Sequence, residues 1–416
     1  MPKKKKAILV IANLDTRGEE FLLVKEMVEE RGHLALILDF SMEQEPLVPG
    51  DISCEEVAKA GGMNIHEVRA CYRKDRERAT ETMIKGAQDI VEDLLTKKEI
   101  DGVLGVGGAT ASLVATSVMK RLPFGFPKVM ATPMAGHPRY VGQYVGTKDI
   151  TMYNTVVDVM EMNPILQMQL INAVGAICGM VEMTKGWEIE SDSPIVAITS
   201  FGFAERCVEA SIKLLKERGY ISVPCHAQGR GDRAMDEMIR QGLFHGVLDI
   251  VTRGVVEEMY KGNCAAGPDR ILAASQMNIP QVLAPSGLDM ISYGGRSDLQ
   301  QRFTGRKTEV IDSLRVEVRT TAEELREVAK VVAERINESK IPVKILIPLK
   351  GWSSLDQEGR GLYDPEADRA FVDELRREAR DHVEIMELDM HLYTPEFGRA
   401  AAEAFDELYK KYGAKA

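Results

Sequence analysis

Apolar, β-branched runs alternate with stretches of helical period along nearly the whole chain, the pattern of parallel strand–helix–strand units. The first run, Ala7 to Ala12, gives way to a polar turn from Asn13 to Gly18. A helical pattern follows, with Phe21, Leu22, Val24, Met27 and Val28 apolar, and it closes at Arg31-Gly32, where glycine suits a left-handed cap. Leu34 to Leu38 is the next strand. Ser53 with Glu56 three positions on predicts a capping box, and a long helix is expected from about Lys74 to Leu95. The apolar segment Met152 to Glu182 reads as helical. Further strands are expected at Ile195–Thr199, Val343–Ile347 and Val383–Leu388, and a last helix from about Pro395 to Tyr412.

The pattern repeats. Glu30-Arg31-Gly32 returns as Glu217-Arg218-Gly219, Gly102-Val103-Leu104 as Gly246-Val247-Leu248, and Pro127–Ala131 resembles Pro280–Ala284. Three similarities in one order argue for duplication. The spacing shrinks between the first pair and the second, so the first half carries extra residues, which fall between about Asp51 and Arg78. The expectation is an α/β protein of two tandem Rossmann-like subdomains, each a mostly parallel sheet flanked by helices, spanning 1–188 and 189–416. The polar stretch Lys185 to Ser193 marks the boundary.

Composition narrows the function classes. With 53 basic against 64 acidic residues and a formal charge of −11, the 416-residue chain offers no global basic field for nucleic acid or anionic lipid. The basic run Lys3 to Lys6 abuts an apolar strand and reads as its solvated entry. Asn13 and Asp15 interrupt the apolar run too early for a secretory signal, and no stretch is an uninterrupted membrane span. Six scattered cysteines without a C-x-x-C pair fit neither a zinc site nor a disulfide framework. A cytoplasmic protein is expected.

In open parallel sheets ligands sit beyond the carboxyl ends of the strands, so the informative residues are those just after each strand. Gly105-Val106-Gly107-Gly108-Ala109-Thr110-Ala111-Ser112 is the clearest anion signal. Its glycines allow close backbone approach, a helix starting near Thr110 offers unpaired amides, and Thr110 and Ser112 add hydroxyls. The bland reading is a tight strand-to-helix turn. In the loop Asn13 to Glu20, Asp15 or Thr16 is expected to cap the first helix. Met134 to Asp149 gathers His137, Arg139, Tyr140, Gly146, Thr147, Lys148 and Asp149. There Lys148 suits a phosphate, Asp149 a magnesium ion and His137 a proton transfer, against the alternative of a solvated crossover. In the second half His226–Arg233, Thr252-Arg253-Gly254, Pro285-Ser286-Gly287 and Pro348–Ser354 follow strands. Arg230 and Arg253 face a small anionic substrate on this reading, or form ion pairs at the core edge. Ser286 joins them as a substrate candidate, although no G-x-S-x-G elbow marks it as a nucleophile.

Three of these segments, Asn13–Glu20, Gly105–Ser112 and Tyr144–Met152, together with His226–Met235, Ala265–Arg270, Pro285–Gly294 and Leu349–Asp368, carry a resemblance over essentially the whole chain. It is to a bacterial and fungal family named after the ATP-binding N-terminal region of a tomato tobamovirus-resistance protein. The resemblance implies two Rossmann-like subdomains, a dimer, and ATP with magnesium in the first. By that resemblance Asp15, Thr16, Gly107, Gly108, Ala109, Thr110, Gly146, Thr147, Lys148 and Asp149 are the cofactor-binding candidates. The expected function is ATP or nucleotide binding, with an enzyme acting on a small carboxylate or phosphate between the subdomains as its fuller form. The alternatives are a nucleotide-switched dimeric sensor or scaffold and a small-acid-binding module without nucleotide. A homodimer is also expected from the apolar excess of Met152–Glu182, with neither nucleic acid nor membrane as partner.

Overall fold

The computed structural model describes residues 5–184, 186, 189 and 191–413. The chain forms two compact units, Met1–Ile189 and Glu190–Ala416. Lys3, Lys4 and four residues of the expected boundary, Lys185, Trp187, Glu188 and Glu190, lie outside the described residues.

The first unit is built on β1 (Ala7–Ala12), β2 (Leu34–Asp39), β3 (Gly102–Val106), β4 (Lys128–Thr132) and β5 (Thr151–Asn154), all parallel, in the order β2-β1-β3-β4-β5. Both faces are covered, so β1 reads as one continuous apolar run. Its residues still alternate. Ile8, Val10 and Ala12 pack with Phe21 and Val24 of the helix Gly18–Glu30 and with Leu166 and Leu170 of the helix Pro164–Met183. Leu9 and Ile11 turn the other way, toward Met83 and Ala87 of the helix Arg76–Thr96 and Val114 and Ala115 of the helix Ala109–Met119. The inserted residues fold as the helices Cys54–Ala60 and Ile65–Tyr72 on this second face. The Ser53–Glu56 capping box forms as expected.

The second unit places β6 (Ile195–Ser200), β7 (Ile221–His226), β8 (Gly246–Val251), β9 (Gln281–Ser286), β13 (Val343–Pro348) and β14 (Val383–Leu388) in one parallel sheet, ordered β14-β13-β9-β8-β6-β7. Its strands β7-β6-β8-β9 reproduce the order β2-β1-β3-β4 of the first unit. The matched glycines Gly32 and Gly219 share a φ of +88°. The units are thus two α/β folds of common plan.

Two expectations need correction, and one element was unforeseen. Met152–Glu182 is not one helix. Thr151–Asn154 is the edge strand β5, and the helix starts only at Pro164, where Asn163 caps it and proline suits the first turn. Neither Asp15 nor Thr16 caps the first helix, whose N-cap is Arg17 without a side-chain bond. A small antiparallel sheet, β10 (Met290–Ser292), β11 (Thr308–Val310) and β12 (Val316–Arg319), was not expected at all. The helix Pro164–Met183 is long and apolar enough to cross a membrane by length and composition. Its inner side, Leu166, Leu170, Ala173, Ile177 and Val181, packs in the core of the unit. Ile165, Met168 and Ile171 stay exposed.

Candidate functional site

In the first sheet the chain leaves β1 and β3, which are neighbours, toward opposite faces. Their following loops therefore part and leave a crevice at the carboxyl edge, the position where open α/β sheets bind ligands. A cleft of about 630 Å³ lies there. Asn13, Asp15, Thr16 and Arg17 line it after β1, and Gly108, Ala109, Thr110 and Ala111 line it after β3.

The β3 side is an open helix end. Ser112 makes the first backbone bond of the helix Ala109–Met119, to Gly108. The amides of Ala109, Thr110 and Ala111 have no protein acceptor among the described residues, and the cap residue Gly108 has no side chain to supply one. Such amides, at the positive end of the helix dipole, attract an anion. The two glycines divide the work. Gly107 sits at φ +136°, and a Cβ there would stand 2.7 Å from Ala111 Cβ, so it makes the turn. Gly108 has an ordinary φ of −78°, and a Cβ there would meet nothing within 4 Å, so it keeps the approach clear. Thr110 is exposed in the cleft. Ser112 is buried, its hydroxyl 2.8 Å from both the Gly108 carbonyl and Thr132 Oγ1, and so serves the turn rather than a ligand.

The β1 side is held by carboxylates. Asp39, at the end of β2, accepts from the Leu14 and Ser41 amides at 3.1 and 2.9 Å and from Ser41 Oγ at 2.5 Å, tying the β1 loop to the β2 loop. Burial raises its pKa above the ordinary carboxylate value, against these hydrogen bonds. Asp15 receives the Glu43 amide at 3.1 Å and donates its own amide to Ser41 Oγ. Thr16 accepts from Asn13 Nδ2. These bonds replace the helix cap expected of Asp15 and Thr16. Phe40, Met42, Glu43, Tyr72, Pro133, Met134, Val156 and Asp158 complete the lining. Of these, Met134 falls in a segment that the sequence singles out; Phe40, Met42 and Glu43 follow the expected strand β2 but are not singled out, and Val156 and Asp158 lie in the segment read as helical. Tyr72, on the inserted helix, carries no signal.

The segment Met134–Asp149 meets this rim only at Met134. It leaves the carboxyl end of β4 and returns to the amino end of β5, so its last residues lie at the opposite edge of the sheet. Asp149 pairs with buried Lys128, the first residue of β4, and accepts the Gly125 amide at 2.7 Å. Lys148 lies over the Phe124 ring, and Gly146 packs near Lys120 at the far end of the helix Ala109–Met119. Gly146, Thr147, Lys148 and Asp149 are therefore separated from the glycine turn by the length of a strand, and Asp149 is no metal ligand for that cleft. His137 and Arg139 are exposed, His137 stacked on Tyr140 with its Nδ1 accepting the Arg139 amide, and neither lines the cleft.

In the second unit, the crevice between β6 and β8 is filled. Arg253 is fully buried beneath Phe201 and Phe203 and paired with Glu257 and Glu317. Burial opposes its charge, but the two carboxylates outweigh that and hold its pKa above the ordinary value. It is a core ion pair, not a substrate ligand. Ser286 is buried and its hydroxyl has no partner among the described residues, whereas Arg230 is exposed at a helix start. A second buried cluster escaped the sequence. Arg270 forks onto Asp249 at 2.7 and 2.6 Å, with Asp232 at 3.3 Å and Asp236 at 3.8 Å. A third joins Arg319 to Asp368 and Asp289. Among the described residues, no group of three or more His, Cys, Asp or Glu side chains is placed to hold a metal ion.

Comparison with known proteins adds a family and no chemistry. A UPF0261 protein of Clostridium tetani is 36% identical over 98% of this chain and 100% of its own length. A UPF0261 protein of Rhizobium meliloti is 32% identical over 97% of this chain and 99% of its own. The ToMV resistance protein Tm-1(GCR237) of Solanum lycopersicum is 31% identical over 86% of this chain but only 47% of that longer protein. A solved structure titled a putative UDP-N-acetylglucosamine 2-epimerase from Listeria monocytogenes overlaps 67% of this chain and 79% of its own at 11% identity. Its TM-score of 0.21 is too low to bear on the fold. Models of the N-terminal and C-terminal domains of the uncharacterised protein family UPF0261 match residues 6–186 and 193–409, and the chain belongs to that family.

Proposed function

We propose that the first unit binds a nucleotide, with its phosphates on the amides of Ala109, Thr110 and Ala111. The observation that carries this reading is that helix end, uncapped and opening into the cleft at the β1–β3 crevice. The volume, about 630 Å³, lies within the range of small-molecule and cofactor sites. ATP is the nucleotide that the family resemblance implies.

Charge supports a ligand that brings a cation. Arg17 lines the cleft together with Asp15, Glu43 and Asp158, so a free polyphosphate meets more acid than base. Magnesium commonly takes one or two carboxylates and completes its shell with phosphate oxygens and water. One or two of the cleft carboxylates Asp15, Glu43 and Asp158 would serve that mode. Magnesium would neutralise the phosphate charge, while the chain's own part is to orient the phosphates through the amides and the Thr110 hydroxyl.

Calorimetric titration with ATP in magnesium, ATP in chelator, and inorganic phosphate tests the reading. Binding of magnesium ATP that weakens in chelator is expected. Absence of binding to all three would overturn it.

A further inference from the structure

The loops after β1 and β2 share one hydrogen-bonded core with a buried carboxylate at its centre. Asp39 Oδ1 accepts from the Leu14 amide, the Ser41 amide and Ser41 Oγ at 3.1, 2.9 and 2.5 Å. Ser41 Oγ in turn accepts the Asp15 amide at 2.9 Å, and Asp15 Oδ2 accepts the Glu43 amide at 3.1 Å. Two hydrogen bonds therefore join Asp39 to Asp15, which lines the cleft.

The other oxygen of Asp39 has no counterpart in the fold. Oδ2 is buried without a hydrogen-bond partner among the described residues, and Asp39 as a whole is 1% exposed. Asp15 adds repulsion to that carboxylate, not relief. A charge left this way in an interior is costly, and buried carboxylates are ordinarily paired with a cation or bound to a metal ion. An orphaned oxygen of this kind calls for an ion that the chain itself does not supply.

We propose that Asp39 is the buried counter-charge of a divalent cation held at Asp15, and that this ion binds before any phosphate arrives. Asp39 does not line the cleft, so it acts through its field and not as a ligand. This rests on the magnesium part of the nucleotide reading and goes beyond it. A negative charge behind the cleft attracts a cation and repels a cation-free polyphosphate. Its removal should therefore move the two affinities in opposite directions. A residue that merely braced the loops would move both the same way.

The test measures manganese binding without nucleotide, by loss of the free-ion electron spin resonance signal, and ATP binding in chelator by calorimetry. Manganese shares the oxygen ligands of magnesium. Wild type, Asp39→Asn and Ser41→Ala are compared at about pH 8, well above the ordinary carboxylate range. Asp39→Asn keeps an accepting oxygen and loses the charge, whereas Ser41→Ala keeps the charge and cuts the link to the Asp15 amide. If the asparagine variant fails to fold, Asp39→Ser, smaller and equally neutral, replaces it. Wild type is expected to bind manganese alone. Asp39→Asn should lose about fivefold or more for manganese and bind ATP in chelator at least as well as wild type. Wild type that binds magnesium ATP but not manganese alone overturns the inference and leaves the nucleotide reading standing. So does Asp39→Asn that keeps its manganese affinity or loses both ligands together, and so does Ser41→Ala that shows the same opposed shifts. If wild type binds neither manganese nor magnesium ATP, the nucleotide reading fails and this inference with it.

Discussion

Lys128 Nζ lies 2.8 Å from Asp149 Oδ1, at the amino edge of the first sheet. The ammonium is fully buried, also bonded to the Pro123 and Phe126 carbonyls, and its pKa is lowered by burial against the pull of Asp149. The pair anchors the return of the chain into β5 and has no share in the cleft. Asp149→Ala should cost about 1–2 kcal/mol of stability, discounted because the carboxylate is partly exposed, and leave nucleotide affinity unchanged. Urea unfolding together with calorimetry checks both halves.

That pair also shows where sequence reading stops. The strands were legible because parallel sheets covered on both faces demand apolar runs, and the repeat showed in Gly32 and Gly219. The glycine turn after β3 was legible because it is local. Lys148-Asp149 looked functional by composition, but whether a residue stands at a strand's carboxyl or amino end depends on where β5 begins. Reading Met152–Glu182 as one helical segment concealed that point, although Asn154, Asp158, Glu161 and Asn163-Pro164 interrupt its apolar pattern. Tyr72 and Val156 reach the cleft only through the tertiary fold. The Arg270 cluster joins residues from β8, a helix and a loop, and periodicity carries no trace of such a meeting.

Gly107 and Gly108 should separate folding from binding. Gly107→Val forces a β-branched residue into positive φ against Ala111 and should lower stability by about 1–3 kcal/mol or more. Gly108→Val meets no neighbour in the fold but stands at the approach to the amides. Its melting temperature should stay near wild type while nucleotide affinity falls about tenfold or more. A Gly108→Val protein that binds as wild type does would show that the turn is only a turn.

Asp236 should make the second unit sensitive to pH. It is buried beside Arg270, with Asp249, Asp232, Arg240 and Arg335 also acting within its surroundings, and burial pushes its pKa up to about 7. A carboxyl whose folded pKa lies above its unfolded value of about 3.9 favours the folded state most at low pH. That contribution is full below about 3.9 and is lost as the pH rises through about 7. Denaturant unfolding between pH 4.5 and 8 should show this decline, and Asp236→Asn should flatten it.

Arg253→Ala should be among the most destabilising single changes. It strands Glu257 and Glu317 in the interior without their cation, a loss of about 3–5 kcal/mol for a buried pair. Arg253→Lys should rescue only part of this, because an ammonium cannot span both carboxylates with the same fork. Thermal unfolding of the two variants decides it.

The central claim is that backbone amides at one helix end hold phosphate, and amide resonances report on it directly. Magnesium ATP titrated into isotope-labelled protein should shift the Ala109, Thr110 and Ala111 amide protons most strongly, downfield as hydrogen bonds to phosphate form. Saturable binding that leaves those three amides unmoved while shifts gather elsewhere would contradict the account.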